Sequence, residues 1–174
     1  MRHTRRAVGR RTAGSAAVAA TVLALSACTA GHGDRIVGDD RYPYWQKEAG
    51  APEAAAFMKV RVPPGATEVK GAVRVQPGER VYLLSFLTDQ KTAKSVADDL
   101  RPEHPLEAQG LSSSLSGDGF QHLGLTPPQQ LEGVRSTSAC PPCAGDARRS
   151  HVQAVEMHVG DGMGDRVRVY LAAY

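Results

Sequence analysis

The sequence predicts an α+β domain: an antiparallel sheet of about five strands with one packed helix and a long irregular loop. Three observations point to it. Residues 57–62, 68–75, 152–159 and 166–174 alternate apolar and polar side chains, the period of two that sends successive residues to opposite faces of a strand. Residues 80–88 (RVYLLSFLT) are apolar on both faces, as in a strand covered on both sides. Residues 88–101 carry the 3.6-residue period of an amphipathic helix. Strands joined by short loops pair antiparallel. The alternative is an all-β sandwich without a packed helix.

In chain order, residues 53–56 (EAAA) make one helical turn. In 57–62, Met58, Val60 and Val62 share one face and Lys59 and Arg61 the other; Pro63-Pro64-Gly65 ends that strand. In 68–75, Val69, Val73 and Val75 face in, and Gly71 at an inward position marks a bulge or a close backbone approach. Pro77-Gly78 is the next turn. The two-sided strand 80–88 belongs in the middle of the sheet. In the helix, Thr88 or Asp89 caps the start, Ala93, Val96, Ala97 and Leu100 form the buried stripe, and Pro102 closes the end. Residues 102–150 are rich in glycine, serine and proline, and read as irregular chain pinned by Leu123, Leu125, Leu131 and Val134; Ser112-Ser113-Ser114 and Ser116-Gly117-Asp118-Gly119 read as exposed loop. A final hairpin turns at 160–164. Val155, Met157, Val159, Val167, Val169, Leu171 and Ala173 face in, while Arg166, Arg168, Tyr170 and Tyr174 face solvent.

The first 27 residues stand apart. Five arginines and no acid precede Cys28, and an uncharged run made mostly of alanine, valine and leucine covers 13–25. A basic start, an apolar stretch of about 7–15 residues and small residues at the exit make a secretory signal. The run is too short for a permanent span, which needs about 20 apolar residues. The exit, Leu25-Ser26-Ala27-Cys28, resembles the lipobox of bacterial lipoproteins. That resemblance covers residues 1–28 and implies cleavage between Ala27 and Cys28, with lipid on the Cys28 thiol. The chain then divides into a signal at 1–27, a flexible tether at 28–41 and one globular domain at 42–174. Residues 29–41 reach up to roughly 45 Å when extended. Tyr42-Pro43-Tyr44-Trp45 is either an aromatic anchor at the lipid surface or the first segment packed on the core, and the second reading is preferred.

Removing the signal changes the charge. The chain has 21 basic and 18 acidic residues; without the five signal arginines, 16 basic face 18 acidic, a net of −2. The pI near 8.9 belongs to the precursor. With few aromatics besides, the mature chain is not expected to bind nucleic acid.

Cys140-Pro141-Pro142-Cys143 invites three readings. In the oxidising compartment that export implies, the pair forms a disulfide staple. The spacing also resembles the Cys-x-x-Cys of thioredoxin-like oxidoreductases, which implies redox catalysis; yet neither a strand before it nor an apolar helix after it is legible. A metal site needs His151 and His158 as further ligands, at spacings unlike those of zinc fingers. The staple is the preferred reading, and His151 and His158 read as solvent-facing strand histidines, with His104 and His122 equally unpartnered. Asp161 and Asp165 flank a hairpin turn without the calcium-loop pattern. Asp98 and Asp99 read as solvated charge. No phosphate loop, nucleophile elbow or zinc-protease motif occurs, so no catalytic residue, metal or cofactor is assigned. The expected protein is a membrane-held extracytoplasmic lipoprotein, a non-enzymatic binding or accessory module with an unidentified protein or small-molecule partner. The alternative is an extracytoplasmic thiol-disulfide oxidoreductase using Cys140 and Cys143.

Overall fold

The computed structural model describes residues 42–107, 116–139 and 142–174. Cys28, Ala27, the tether and Cys140 lie outside them. The described chain is α+β, with two helices and a single open antiparallel sheet of six strands, one more than expected and no sandwich. The elements are β1 (Tyr44–Trp45), α1 (Ala51–Met58), β2 (Thr67–Gln76), β3 (Glu79–Asp89), α2 (Gln90–Leu100), β4 (Arg135–Ala139), β5 (Val155–Asp161) and β6 (Arg166–Ala173). The sheet order is β1-β2-β3-β6-β5-β4.

The two-sided strand lies inside the sheet, as its composition requires. β3 pairs with β2 on one side and β6 on the other, and residues 81–88 are all buried. α2 begins on Asp89, whose carboxylate accepts from the Thr92 N–H at 2.8 Å and from the Thr92 hydroxyl at 2.7 Å. These bonds hold the Asp89 carboxyl below the usual aspartate range, the hydroxyl contributing most. Ala93, Val96, Ala97 and Leu100 are buried as the stripe predicts.

The stretch 57–62 corrects the expectation. The helical turn expected at 53–56 extends to α1, Ala51–Met58, and ends on Lys59 in the left-handed conformation (φ 53°, ψ 38°); no strand comes after it before β2. The alternation is real, since Met58 and Val60 are buried and Lys59 and Arg61 exposed, but its cause is a helix end with an extended tail. What fixes that end is Arg149, whose side chain is wholly buried. Its Nε donates to the Met58 carbonyl (2.8 Å) and Nη2 to the Lys59 carbonyl (3.4 Å). The charge is met by Asp146 at 2.8 Å and Asp99 at 3.4 Å. Asp99, expected to be solvated charge, thus joins α2 to the end of α1. Asp98 pairs with Lys94 on the exposed side.

Gly71 is a close backbone approach, as expected. A Cβ there would lie 2.4 Å from the Ala51 Cα, so α1 sits directly on β2. The bulge falls just before it: the register slips between Thr67 and Lys70, Glu68 takes φ 47°, and Val69 is left 41% exposed instead of facing in.

The long irregular stretch holds a strand that sequence reading missed. β4, Arg135–Ala139, pairs with β5. Its residues, RSTSA, lack an apolar alternation, and its outer edge is covered by a bridge to Glu107. The loop expected at 112–114 lies outside the described residues, and the one expected at 116–119 is exposed only at Gly117 and Asp118. Ser116, Gly119 and Phe120 are buried, and short 3₁₀ turns at Gly119–Leu123 and Pro128–Gln130 lay this chain across the second face of the sheet. The apolar interior is therefore double. Met58, Leu84, Phe86, Leu100, Met157 and Leu171 lie in the cluster on the helix side. Val81, Leu83, Phe120, Tyr170 and Ala172 form the second, with Trp45, Leu123, Leu125 and Leu131 against it.

Two outcomes are expected. Gly71→Ala forces α1 off β2 and costs about 1–3 kcal/mol, read as a lowered urea midpoint. Gly145→Ala, which meets open space, changes stability by less than about 0.5 kcal/mol. The second concerns Asp146. Its carboxyl is held below the ordinary aspartate value by the Arg148 N–H and by the Arg149 guanidinium. A carboxyl depressed in the fold stabilises fully above its unfolded pKa, and that contribution is lost as pH falls through the folded value. Urea midpoints should therefore decline on acidification below about pH 4, and Asp146→Asn should lower neutral-pH stability while flattening that decline.

Candidate functional site

At one end of the sheet the helix-side face is left open. α1 covers β2 and β3 only as far as Phe57, and beyond it Val75, Arg80, Tyr82, Gln153 and Tyr174 enclose a cleft of about 570 Å³. The register explains the gathering. Val75 pairs with Arg80 and Val73 with Tyr82, so Val75, Arg80 and Tyr82 stand on one face next to the Pro77-Gly78 turn. Phe57 stacks on Tyr82 with centroids 3.7 Å apart and planes 7° from parallel. His151 meets the Phe57 ring edge-on at 5.1 Å, and its Nε2 lies 3.0 Å from the Phe57 carbonyl oxygen. Tyr44 pairs with Val75 and so stands beside the cleft, 45% exposed, with Tyr42 5.5 Å away.

The floor is apolar and aromatic, and the rim carries Gln76, Glu79, Arg80 and Gln153. Gln76 donates to Glu79. This is the composition of a recognition surface, where a ring or aliphatic group enters and polar edges orient its tail. The lining has a single carboxylate and no histidine, serine or cysteine, so it offers contacts more than acid–base chemistry.

The aromatic cluster at 42–45 divides between its two readings. Trp45 packs: it stacks on His122 at 4.0 Å on the second face, with the Arg74 guanidinium 6.0 Å from its ring. Tyr42 and Tyr44 remain exposed.

The second face holds what alternation could not disclose. Register places Lys70, Ser85, Tyr170, His158 and Ser136 in one row across β2, β3, β6, β5 and β4. Tyr170 and Arg168, expected in solvent, are buried, and so is His158, at 2% exposure. The reason is the cover: Phe120 meets Tyr170 edge-on at 5.0 Å, and Lys70 Nζ donates to the Leu123 carbonyl at 2.9 Å. Burial raises the Tyr170 phenol above its ordinary pKa. Arg168 pairs with Glu68. His158 Nε2 lies 3.6 Å from a Glu156 oxygen. His151 and His158 are thus not partners: one is exposed beside Phe57 and the other lies under the cover. Among the described residues no group of three or more histidine, cysteine or carboxylate side chains has metal-binding geometry.

The strand that sequence did not show before Cys140 exists, since β4 ends at Ala139. On the far side of the cysteine pair stands a single 3₁₀ turn, Cys143–Gly145, and Cys143 is wholly buried within the helix-side cluster. No described helix is long and apolar enough to cross a membrane. Comparison with known families, characterised proteins and solved structures finds no match to this chain.

Proposed function

We propose that this chain is a membrane-anchored extracytoplasmic lipoprotein whose domain is a non-enzymatic binding or accessory module. The aromatic cleft carries the recognition half of this reading. A cleft floored by the stacked Phe57–Tyr82 pair beside Tyr174 and rimmed by Arg80 and Glu79 suits an aromatic or apolar group with a polar tail, borne by a protein segment or a small molecule. The anchor half rests on Leu25-Ser26-Ala27-Cys28, with lipid on Cys28 after cleavage at Ala27.

Cys140 and Cys143 are assigned as a structural disulfide. The enclosure of Cys143 in the core supports this. Redox cysteines work from partly exposed, electropositive sites, commonly at a helix N-terminus, and a single 3₁₀ turn supplies no such helix.

Two measurements test the proposal. Full-length protein should sediment with membranes and Cys28→Ser should appear in the soluble fraction; a variant that still sediments places the anchor elsewhere. For the cleft, N-acetyl-tyrosine amide serves as the probe. It should perturb the ring resonances of Phe57, Tyr82 and Tyr174, with a weaker response in Arg80→Ala. Shifts confined to other parts of the domain would remove the cleft from the reading.

A further inference from the structure

A second concavity lies between α2 and the chain that leaves α1. Along α2, Thr92, Ser95 and Asp99 border it, and across from them stands the chain that leaves α1, with Lys59 and Arg61; Arg148 closes one end. The space measures about 490 Å³, within the range of small-ligand sites.

Its charge is unbalanced. Asp99 is the acid of the lining, and it is already engaged. Arg148 donates Nη2 to the Asp99 carbonyl at 2.8 Å and Nη1 to its carboxylate at 3.2 Å, and Arg149 reaches the same carboxylate at 3.4 Å. Lys59 and Arg61 are exposed and have no ion pair among the described residues. The two hydroxyls are turned onto their own helix, Thr92 to Asp89 and Ser95 to the Lys91 carbonyl, so the free donors are the cations. The backbone of Lys59 is fixed, because its carbonyl accepts from the buried Arg149 and its N–H closes the end of α1. An unmatched basic pair on a mature chain of net −2 is a local feature, not a reflection of overall charge.

We propose that Lys59 and Arg61 bind the phosphate of an anionic lipid headgroup. The choice of a lipid as the source rests on the reading that the domain is tethered at Cys28. Two cations hold a phosphate weakly on their own, and a short tether supplies the local concentration that makes weak contact count. Guanidinium and ammonium groups side by side suit phosphate oxygens by fork and by point charge. Docking there would set one orientation of the domain on the membrane instead of a freely tumbling one.

The test uses residues 29–174 without lipid. All described strands and helices and both apolar clusters lie within 42–174, so this chain keeps every described element, and near-UV circular dichroism checks the parent and each variant. Sedimentation is measured with vesicles of phosphatidylglycerol in phosphatidylcholine, and with phosphatidylcholine alone. Expected is binding that requires phosphatidylglycerol and falls roughly 10- to 30-fold in Lys59→Gln/Arg61→Gln. The charge-matched control Lys47→Gln/Lys91→Gln, at exposed lysines outside the groove, should bind as the parent does. An equal loss in the control, no requirement for phosphatidylglycerol, or binding of glycerol phosphate without vesicle binding would overturn the assignment. Because the chain tested lacks Cys28, failure here is separate from failure of the Cys28→Ser sedimentation result.

Discussion

The fold turns on one buried guanidinium. Among the described residues Arg149 is the largest fully buried side chain, and a charge is removed from water without large cost only when it is paired and its hydrogen bonds are met. Here two carbonyls at the end of α1 and two carboxylates, from α2 and from its own turn, meet them. Three segments distant in sequence are thereby fixed to one point. The left-handed Lys59, the break between α1 and its extended tail, and the placement of α2 all come from satisfying that group. Both candidate surfaces depend on it as well. The aromatic cleft begins at Phe57, two residues before the lock, and the basic groove begins at Lys59, where the lock holds the backbone.

A second constraint is the covering of both faces of the sheet. Helices cover one face in the ordinary way. The other is covered by irregular chain, whose 3₁₀ turns present backbone carbonyls as well as side chains. One polar residue bonds that cover directly, Lys70 to the Leu123 carbonyl, while Arg168 pairs within the sheet with Glu68, next to the bulge in β2. In the row from Lys70 to Ser136, Lys70 is half-buried and Ser85, Tyr170, His158 and Ser136 are buried. The row resembles a solvent face in sequence and behaves as an interior in structure.

The legible parts of the candidate surfaces were those whose chemistry is local. Tyr44, Phe57 and Tyr82 are visible as aromatic residues in apolar runs, and Lys59 and Arg61 are correctly read as exposed. Their grouping was not visible. The cleft needs the pairing of Val75 with Arg80, together with the ends of α1 and β6, which are far apart along the chain. Reading 57–62 as a strand put the right residues on the right sides for the wrong reason, since a buried–exposed alternation also arises where a helix ends and its tail runs over a core.

Local sequence was enough for the class of the domain, the central two-sided strand, the stripe of α2 and its Asp89 cap, the final hairpin, and the close approach at Gly71. Each is set by short-range periodicity, or by a residue whose backbone or missing side chain permits one local solution. It also carries the lipobox resemblance, which is a matter of adjacent residues. Long-range packing was needed to make RSTSA an edge strand, to lay a glycine- and serine-rich stretch over the second face, to bring His158 and Tyr170 inside, and to set Asp99 against Arg149. Those outcomes depend on which distant groups arrive to bury a surface or satisfy a charge, and no local pattern of residues encodes the identity of that partner.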